Sequence, residues 1–271
     1  IAGVQMSRDD IMARLRGPKG KKVKLGIVRR GVKGVHHFKV KRDKIPVKSL
    51  DAAYMIEPGI GYVRFSSFGA TTADEVSTSI RRLKEEGMTS LIVDIQGNGG
   101  GYLGAAAEIA SLFLPRGAMI VYTRGRGGVK LQEFHASGRG LFVEGPLVVL
   151  VDEYSASASE IVSGAIQDHD RGIIVGRRTF GKGLVQRPIE LDDGSMIRLT
   201  TARYYTPSGR CIQKPYEKGD AKSYAHDVID RYNRGELTSA DSIHFPDSLR
   251  FATLYKKRTV YGGGGIMPDQ F

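Results

Sequence analysis

Short apolar runs alternate with longer stretches of helical spacing through the middle of the chain. The runs SLIVDI (90–95), AMIVYTR (118–124), PLVVLVD (146–152) and GIIVGRR (172–178) are strand-length and bounded by turn residues. They read as strands, the first and third of them buried. Between them, ADEVSTSIRRLKEEG (73–87), GAAAEIASLFL (104–114) and SASASEIVSGAIQDHD (155–170) carry the 3.6-residue spacing of helices. Thr72, with Glu75 three residues on, has the spelling of a capping box for the first of these helices. Strands alternating with helices predict an α/β core.

The flanks read differently. MSRDDIMARLRGPKG (6–20) predicts a short helix, with Ser7 at its N-cap, Asp9 and Asp10 at its positive end, and Gly17-Pro18 as its stop. Strand-like KKVKLGIVRR and VHHFKVKR follow, then DKIPVKS (43–49) as a linker. AAYMIEPGIGYVRFSSF (52–68) predicts two strands around Pro58-Gly59. LVQRPIELDDGSMIRLTTARYYT (184–206) predicts a hairpin turning at Asp193-Gly194. Residues 215–271 are polar and read as irregular, wrapping the edge of the core.

Composition narrows the class. The 271 residues are 41% hydrophobic and 26% charged, enough for one sizeable core with a small appended unit. No apolar run reaches the roughly 18 residues of a membrane-spanning helix. The single cysteine, Cys211, excludes an internal disulfide and a thiolate-rich metal site. The opening IAGVQMSRDD has no initiator Met and reads as mid-domain, so the lack of a visible targeting segment carries no information. The net charge of +12 is local: residues 14–44 hold 13 Lys/Arg against one acid, Asp43. No aromatics interleave with these cations to stack on bases, which favours a solvated basic face over a nucleic-acid site.

Three glycine motifs need sorting. Gly176-x-x-x-x-Gly181-Lys182 has the spacing of a phosphate-cradling loop, but position 183 is Gly where a Mg²⁺-binding hydroxyl is required. A strand-like segment follows in place of a helix, so a nucleotide reading fails twice. Gly99-x-Gly101-x-x-Gly104 lies between a strand and a helix, as a dinucleotide fingerprint does. The next strand ends in Thr123-Arg124 with no carboxylate for a ribose, leaving only an NADP reading through Arg124. The same tight turn could instead offer backbone N–H groups to an oxyanion. YGGGG (261–265) reads as a structural turn.

VDEYSASASE places three serines at a strand-to-helix junction, beside free helix N–H groups that suit a nucleophile. None of the six histidines lies in a recognisable triad context. Lysine is the alternative base, and only a neutral amine shielded from solvent can accept a serine proton. Lys182, between two glycines just after an apolar strand, is well placed for that role.

SASASE followed by TFGKGLVQ resembles the C-terminal processing peptidases, the tail-specific serine proteases of peptidase family S41. In that family the middle serine is the nucleophile and a lysine follows 25 residues on, which carries over to Ser157 and Lys182. The orienting glutamine carries over to Gln186, four residues beyond the lysine. DIQGNGGG resembles the family's Gly-rich segment, so the oxyanion hole would be Ala158 with either Gly100 or Gly101. RYYTPSGRCIQ and GGGGIMPD also resemble this family.

The resemblance implies a fold: an α/β spiral core related to ClpP and the crotonases, with a partial PDZ domain at the N-terminus and a C-terminal β-rich extension. Residues 1–42 would be the second half of the PDZ domain, without its carboxylate-binding loop. Residues 43–271 would be the protease core, extended from about 215. The implied function is endopeptidase cleavage near polypeptide C-termini, with no cofactor and no metal. The implied partners are polypeptides with accessible C-termini and no nucleic acid, with association to a membrane envelope, in the periplasm or cell envelope of a bacterium. Oligomeric state stays open, a dimer included. A non-catalytic peptide- or lipid-binding relative of the same fold would be expected to lose Ser157 or Lys182, and this chain keeps both.

Overall fold

A computed structural model describes residues 5–43, 48–217 and 219–271. The chain divides into two compact units, Ile1–Val47 and Lys48–Phe271. Residues 44–47 of the expected linker lie outside the described residues.

In the first unit, α1 (Arg8–Leu15) is capped as the sequence predicts: Ser7 Oγ accepts from the Asp10 N–H at 3.1 Å. Strands β1 (Lys22–Ile27) and β2 (His36–Lys41) pair antiparallel, Lys22 opposite Lys41 and Ile27 opposite His36. The hairpin carries much of the basic run, and every residue of β2 is exposed.

The second unit is built on a five-stranded sheet. It contains β3 (Leu50–Glu57), β4 (Ile60–Phe65), β5 (Ser90–Asp94), β8 (Leu147–Val151) and β9 (Ile173–Gly176), in that order. β3 and β4 form the hairpin around Pro58-Gly59; β4, β5, β8 and β9 run parallel. Parallel strands need crossovers, and helices supply or join each of them. These are α2 (Thr72–Glu85), α3 (Leu103–Ser111) and α4 (Ala158–Asp168). The core forms where their apolar stripes meet the sheet: Val76, Ile80 and Leu83 of α2, Ile109 of α3 and Val162 and Ile166 of α4, against Val63, Leu91, Val93 and Val149.

A second, antiparallel sheet has the order β10–β11–β6–β7, made of β10 (Leu184–Glu190), β11 (Met196–Tyr205), β6 (Met119–Arg124) and β7 (Lys130–His135). β10 lies at its edge, which is why Pro188 is tolerated in a strand.

Three expectations need correcting. The helix α2 is not closed by a Thr72–Glu75 capping box. Thr71 is the N-cap, Thr72 is the first helical residue, and its hydroxyl donates to Ser49 Oγ at 2.7 Å. Glu75 turns instead to the start of β3, accepting the N–H groups of Ser49 and Leu50 at 3.0 Å each. Its other oxygen, Oε1, accepts the hydroxyl of the N-cap Thr71 at 2.6 Å, so Glu75 ties the helix end to the strand end. Second, β7 is a strand that the pattern did not announce, because five of its six residues are exposed. Third, the segment after 215 is neither irregular nor chiefly β. It contains α5 (Ala221–Asn233) and two three-residue strands, β12 (Arg250–Ala252) and β13 (Thr259–Tyr261). Helix α5 buries only Arg231, so it has no apolar stripe to show in the sequence.

Ile80→Ala is expected to cost about 2–5 kcal/mol, because a fully buried side chain on α2 would leave a cavity against the sheet. Arg81→Ala, on the exposed face one residue on, should stay within about 0.5 kcal/mol. Urea denaturation of the two variants measures both.

Candidate active site

Three loops meet at the carboxyl ends of adjacent parallel strands, where α/β sheets habitually place their sites. The Gly-rich turn 97–101 follows β5, the three-serine turn follows β8, and the loop bearing Lys182 follows β9. Residues far apart in sequence come together because β5, β8 and β9 are neighbours in the sheet.

The three serines divide the work. Ser155 Oγ donates to the Ile95 carbonyl at 2.8 Å, and Ser159 Oγ to the Asn98 carbonyl at 2.7 Å. Both are fully buried, and both pin the serine turn to the Gly-rich turn. Asn98 completes the joint: its carbonyl also accepts the Ala156 N–H at 3.0 Å, and its side-chain amide donates to the Phe65 carbonyl at 2.9 Å. Ser157, between the two, is the half-exposed one. It sits at the N-cap of α4 with φ 58° and ψ −110°, a left-handed conformation that a non-glycine residue adopts only when its surroundings enforce it.

Glu160 is what enforces it. This carboxylate is fully buried, and each of its oxygens accepts two bonds. Oε2 takes the Ser157 N–H at 2.7 Å and the Lys182 N–H at 2.9 Å; Oε1 takes the Gly181 N–H and the Thr179 hydroxyl, each at 2.6 Å. Burial holds the Glu160 carboxyl above its ordinary range, with the four donors pulling against it. On the carbonyl side, the Tyr204 hydroxyl lies 3.0 Å from the Ser157 carbonyl oxygen and also within bonding reach of that of Lys182. Burial raises the Tyr204 phenol well above its ordinary value, so it stays a donor. Ser157 and Lys182 are thus joined through their peptide groups twice, once by a carboxylate and once by a phenol.

The Lys182 loop is also clamped from the C-terminal segment. Arg231 of α5, fully buried, donates to the carbonyls of Arg178 and Thr179. Gln213 accepts the Gly183 N–H at 2.8 Å, and the Lys214 N–H donates to the Gly181 carbonyl at 2.9 Å. Gly181, at φ 85°, leaves no space for a Cβ, which would lie 3.0 Å from Lys214 Cβ.

The residues singled out from the sequence line one cavity of about 600 Å³. Ser157, Ala158, Lys182, Gln186, Gly100 and Gly101 all contribute, together with Tyr204. Lys182 is half-buried there. Two details differ from expectation. Gln186 is exposed at a β-bulge, and its amide donates to Thr200 Oγ1 of β11 at 3.4 Å, not to Lys182. Thr200 is its partner across the β10–β11 ladder. Of the two oxyanion glycines, Gly100 has its N–H engaged by Asn98 Oδ1 at 2.9 Å. Among the described residues, the N–H groups of Gly101 and Ala158 have no such partner. Gly100 is required for another reason: at φ 97°, a Cβ there would lie 2.7 Å from the Ala156 carbonyl oxygen and 2.8 Å from Ser157 Cβ.

Sequence reasoning missed Glu160 and Tyr204 as parts of the site, although both lie in the segments SASASE and RYYTPSGRCIQ. Each sits three residues or fewer from a recognised feature, but only the fold shows that both reach the backbone of the same two residues. Arg231 left no signal at all.

Comparison with known proteins gives a consistent result. The model of the family described as Peptidase family S41 matches residues 59–223. The carboxyl-terminal-processing protease of Synechocystis sp. is 42% identical over 213 residues, covering 77% of this chain and 49% of that protein. The carboxy-terminal processing protease CtpA of Bacillus subtilis is 36% identical over 224 residues, 81% of this chain and 47% of that protein. Among solved structures, the photosystem II D1 C-terminal processing protease aligns with a TM-score of 0.55 at 33% identity, over 77% of this chain and 57% of the other. The mixed α/β fold is shared with these proteins, and the chain spans about half the length of the curated relatives it matches.

Glu160→Ala would leave three backbone N–H groups without an acceptor in a dry site, each costing about 1–3 kcal/mol. The variant is expected to lose at least about 3 kcal/mol in urea denaturation. Glu160→Gln keeps the shape and one acceptor oxygen, and should lose less. A variant as stable as the parent would show that Glu160 is not the strap described.

Proposed function

The chain belongs to peptidase family S41, and from that premise we propose that it is a serine endopeptidase acting near polypeptide C-termini through a Ser157/Lys182 pair. The observation that carries the reading is the double joint between Ser157 and Lys182, made by Glu160 and Tyr204, at a cavity that both the serine and the lysine line. A strained serine and a lysine fixed to the same two groups are what nucleophilic catalysis needs. Simple helix capping needs neither the lysine nor the strain.

In the proposed mechanism, the neutral Lys182 amine takes the proton from Ser157 Oγ as the oxygen attacks the scissile carbonyl carbon. The resulting oxyanion is held by the N–H of Ala158, at the first turn of α4, and by that of the Gly100–Gly101 turn, where Gly101 carries the unengaged donor. Lys182 then gives its proton to the leaving amine. Water, deprotonated by the Lys182 amine, attacks the acyl ester carbon; the bond to Ser157 Oγ breaks, Lys182 returns the proton to that oxygen, and the carboxylic acid product leaves. Gln186 lines the cavity, bonded to Thr200, and transfers no proton.

Around this centre, the reading extends to a ClpP/crotonase-like spiral for the core and a PDZ remnant for residues 1–42, the latter supported by a helix and a two-stranded hairpin in that unit. Polypeptides with accessible C-termini as substrates, and a bacterial cell-envelope location, belong to the same proposal.

Ser157→Ala and Lys182→Ala should each lower turnover of a quenched fluorescent peptide by on the order of 10²–10⁴ while leaving the unfolding transition in place. Gln186→Ala should be milder. A Lys182→Ala variant with full turnover would eliminate the pair, and a parent chain that binds peptide but never cuts it would favour a binding protein.

A further inference from the structure

The cleft does not end at Lys182. A larger cavity of about 1080 Å³ opens beside it and shares Gly99, Lys182, Leu184 and Gln186 with the first. Its walls carry three guanidinium groups, from Arg124, Arg126 and Arg203, among tyrosine rings, and no Asp or Glu lines it. None of the three arginines has an ion pair among the described residues. Elsewhere in this unit the buried arginines meet carboxylates: Arg210 faces Asp168 at 2.7 Å, and Arg231 faces Glu236 at 3.5 Å.

Arg124 lies over the rings of Tyr122 and Tyr205, 5.3 and 5.1 Å from their centroids. Stacking of this kind fixes the guanidinium plane while leaving its edge N–H donors free for a planar anion. Arg124 ends β6 and Arg203 lies opposite it on β11, so the two share a rigid sheet. Three guanidinium groups around one partly apolar space without a counter-charge make a focused positive field. Such a field is complementary to an anionic ligand and repels a basic one.

We propose that this cavity receives a carboxylate of the polypeptide substrate, held within a few residues of the scissile bond by Arg124 and Arg203. The carboxylate belongs either to an acidic side chain or to the substrate's own C-terminus. This deepens the peptidase reading and rests on it for the placement of the scissile bond.

Matched quenched peptides test it, with Glu or Gln at each of three positions on either side of the cut, each made with a free or an amidated C-terminus. At one position the acid should be favoured roughly tenfold in kcat/KM, the scale of a charge-assisted hydrogen bond. Glu over Gln identifies a side chain, and free acid over amide identifies the terminus. The acid-to-neutral ratio should fall below about twofold in Arg124→Gln/Arg203→Gln. The ratio is the readout, so a general loss of rate does not mimic the effect. Equal rates for acid and neutral twins throughout, or a ratio untouched by the arginine changes, would overturn the proposal. If no peptide is cut at all, the peptidase reading fails separately. Fluorescence anisotropy with Ser157→Ala then decides the cavity's role, supported by tighter binding of the acidic twin and refuted by equal binding.

Discussion

One buried carboxylate holds the site together. Glu160 receives the peptide N–H groups of Ser157, Gly181 and Lys182 and the hydroxyl of Thr179, all inside the protein. Burying it is costly, and that cost is offset only while all four donors are in place. The arrangement is therefore all-or-none. Displacing either the serine turn or the lysine loop leaves buried polar groups unpaired, so the two segments keep a fixed relation. The left-handed φ of Ser157 persists because this network over-determines it.

Sheet topology makes the network reachable. β5, β8 and β9 are parallel neighbours, so the turns after them emerge on one edge. Ser155 and Ser159 then fasten the serine turn to the Gly-rich turn, leaving Ser157 half-exposed between them. Gly100, Gly101 and Gly176 are there because the backbone passes too closely for side chains: a Cβ on Gly101 would lie 2.2 Å from the Phe68 carbonyl oxygen. Motifs that spell nucleotide-binding loops are, in this fold, close-packing devices around a strained serine.

The C-terminal segment belongs to the site more than its polar composition suggests. Arg231 from α5 and Gln213 and Lys214 from the preceding stretch hold the backbone of residues 178–183. Tyr204 on β11 reaches the carbonyls on the other side of the same joint. The loop with Lys182 is thus held by α4, α5 and the second sheet together, and this rigidity keeps a half-exposed lysine in one cavity with the serine.

By itself the sequence determined the elements whose hydrophobic period is strong: the four strands of the core sheet from 60 to 176, the three helices between them, and the hairpin at 184–206. It also marked the three-serine junction and Lys182, because a serine-rich strand-to-helix turn and a glycine-flanked lysine are local features, while the family resemblance chose Ser157 among the three. Polar elements escaped it. α5 and β7 bury too little to leave a stripe, and Glu75 ties the N-cap Thr71 to the start of β3 without closing a capping box. Only the tertiary structure decided that Glu160 and Tyr204 bridge the pair, that Gly100 has its N–H engaged while Gly101 does not, and that Gln186 bonds to Thr200. The physical reason is that hydrogen-bond partners across the fold are set by proximity, and proximity between residues tens of positions apart is a property of strand order.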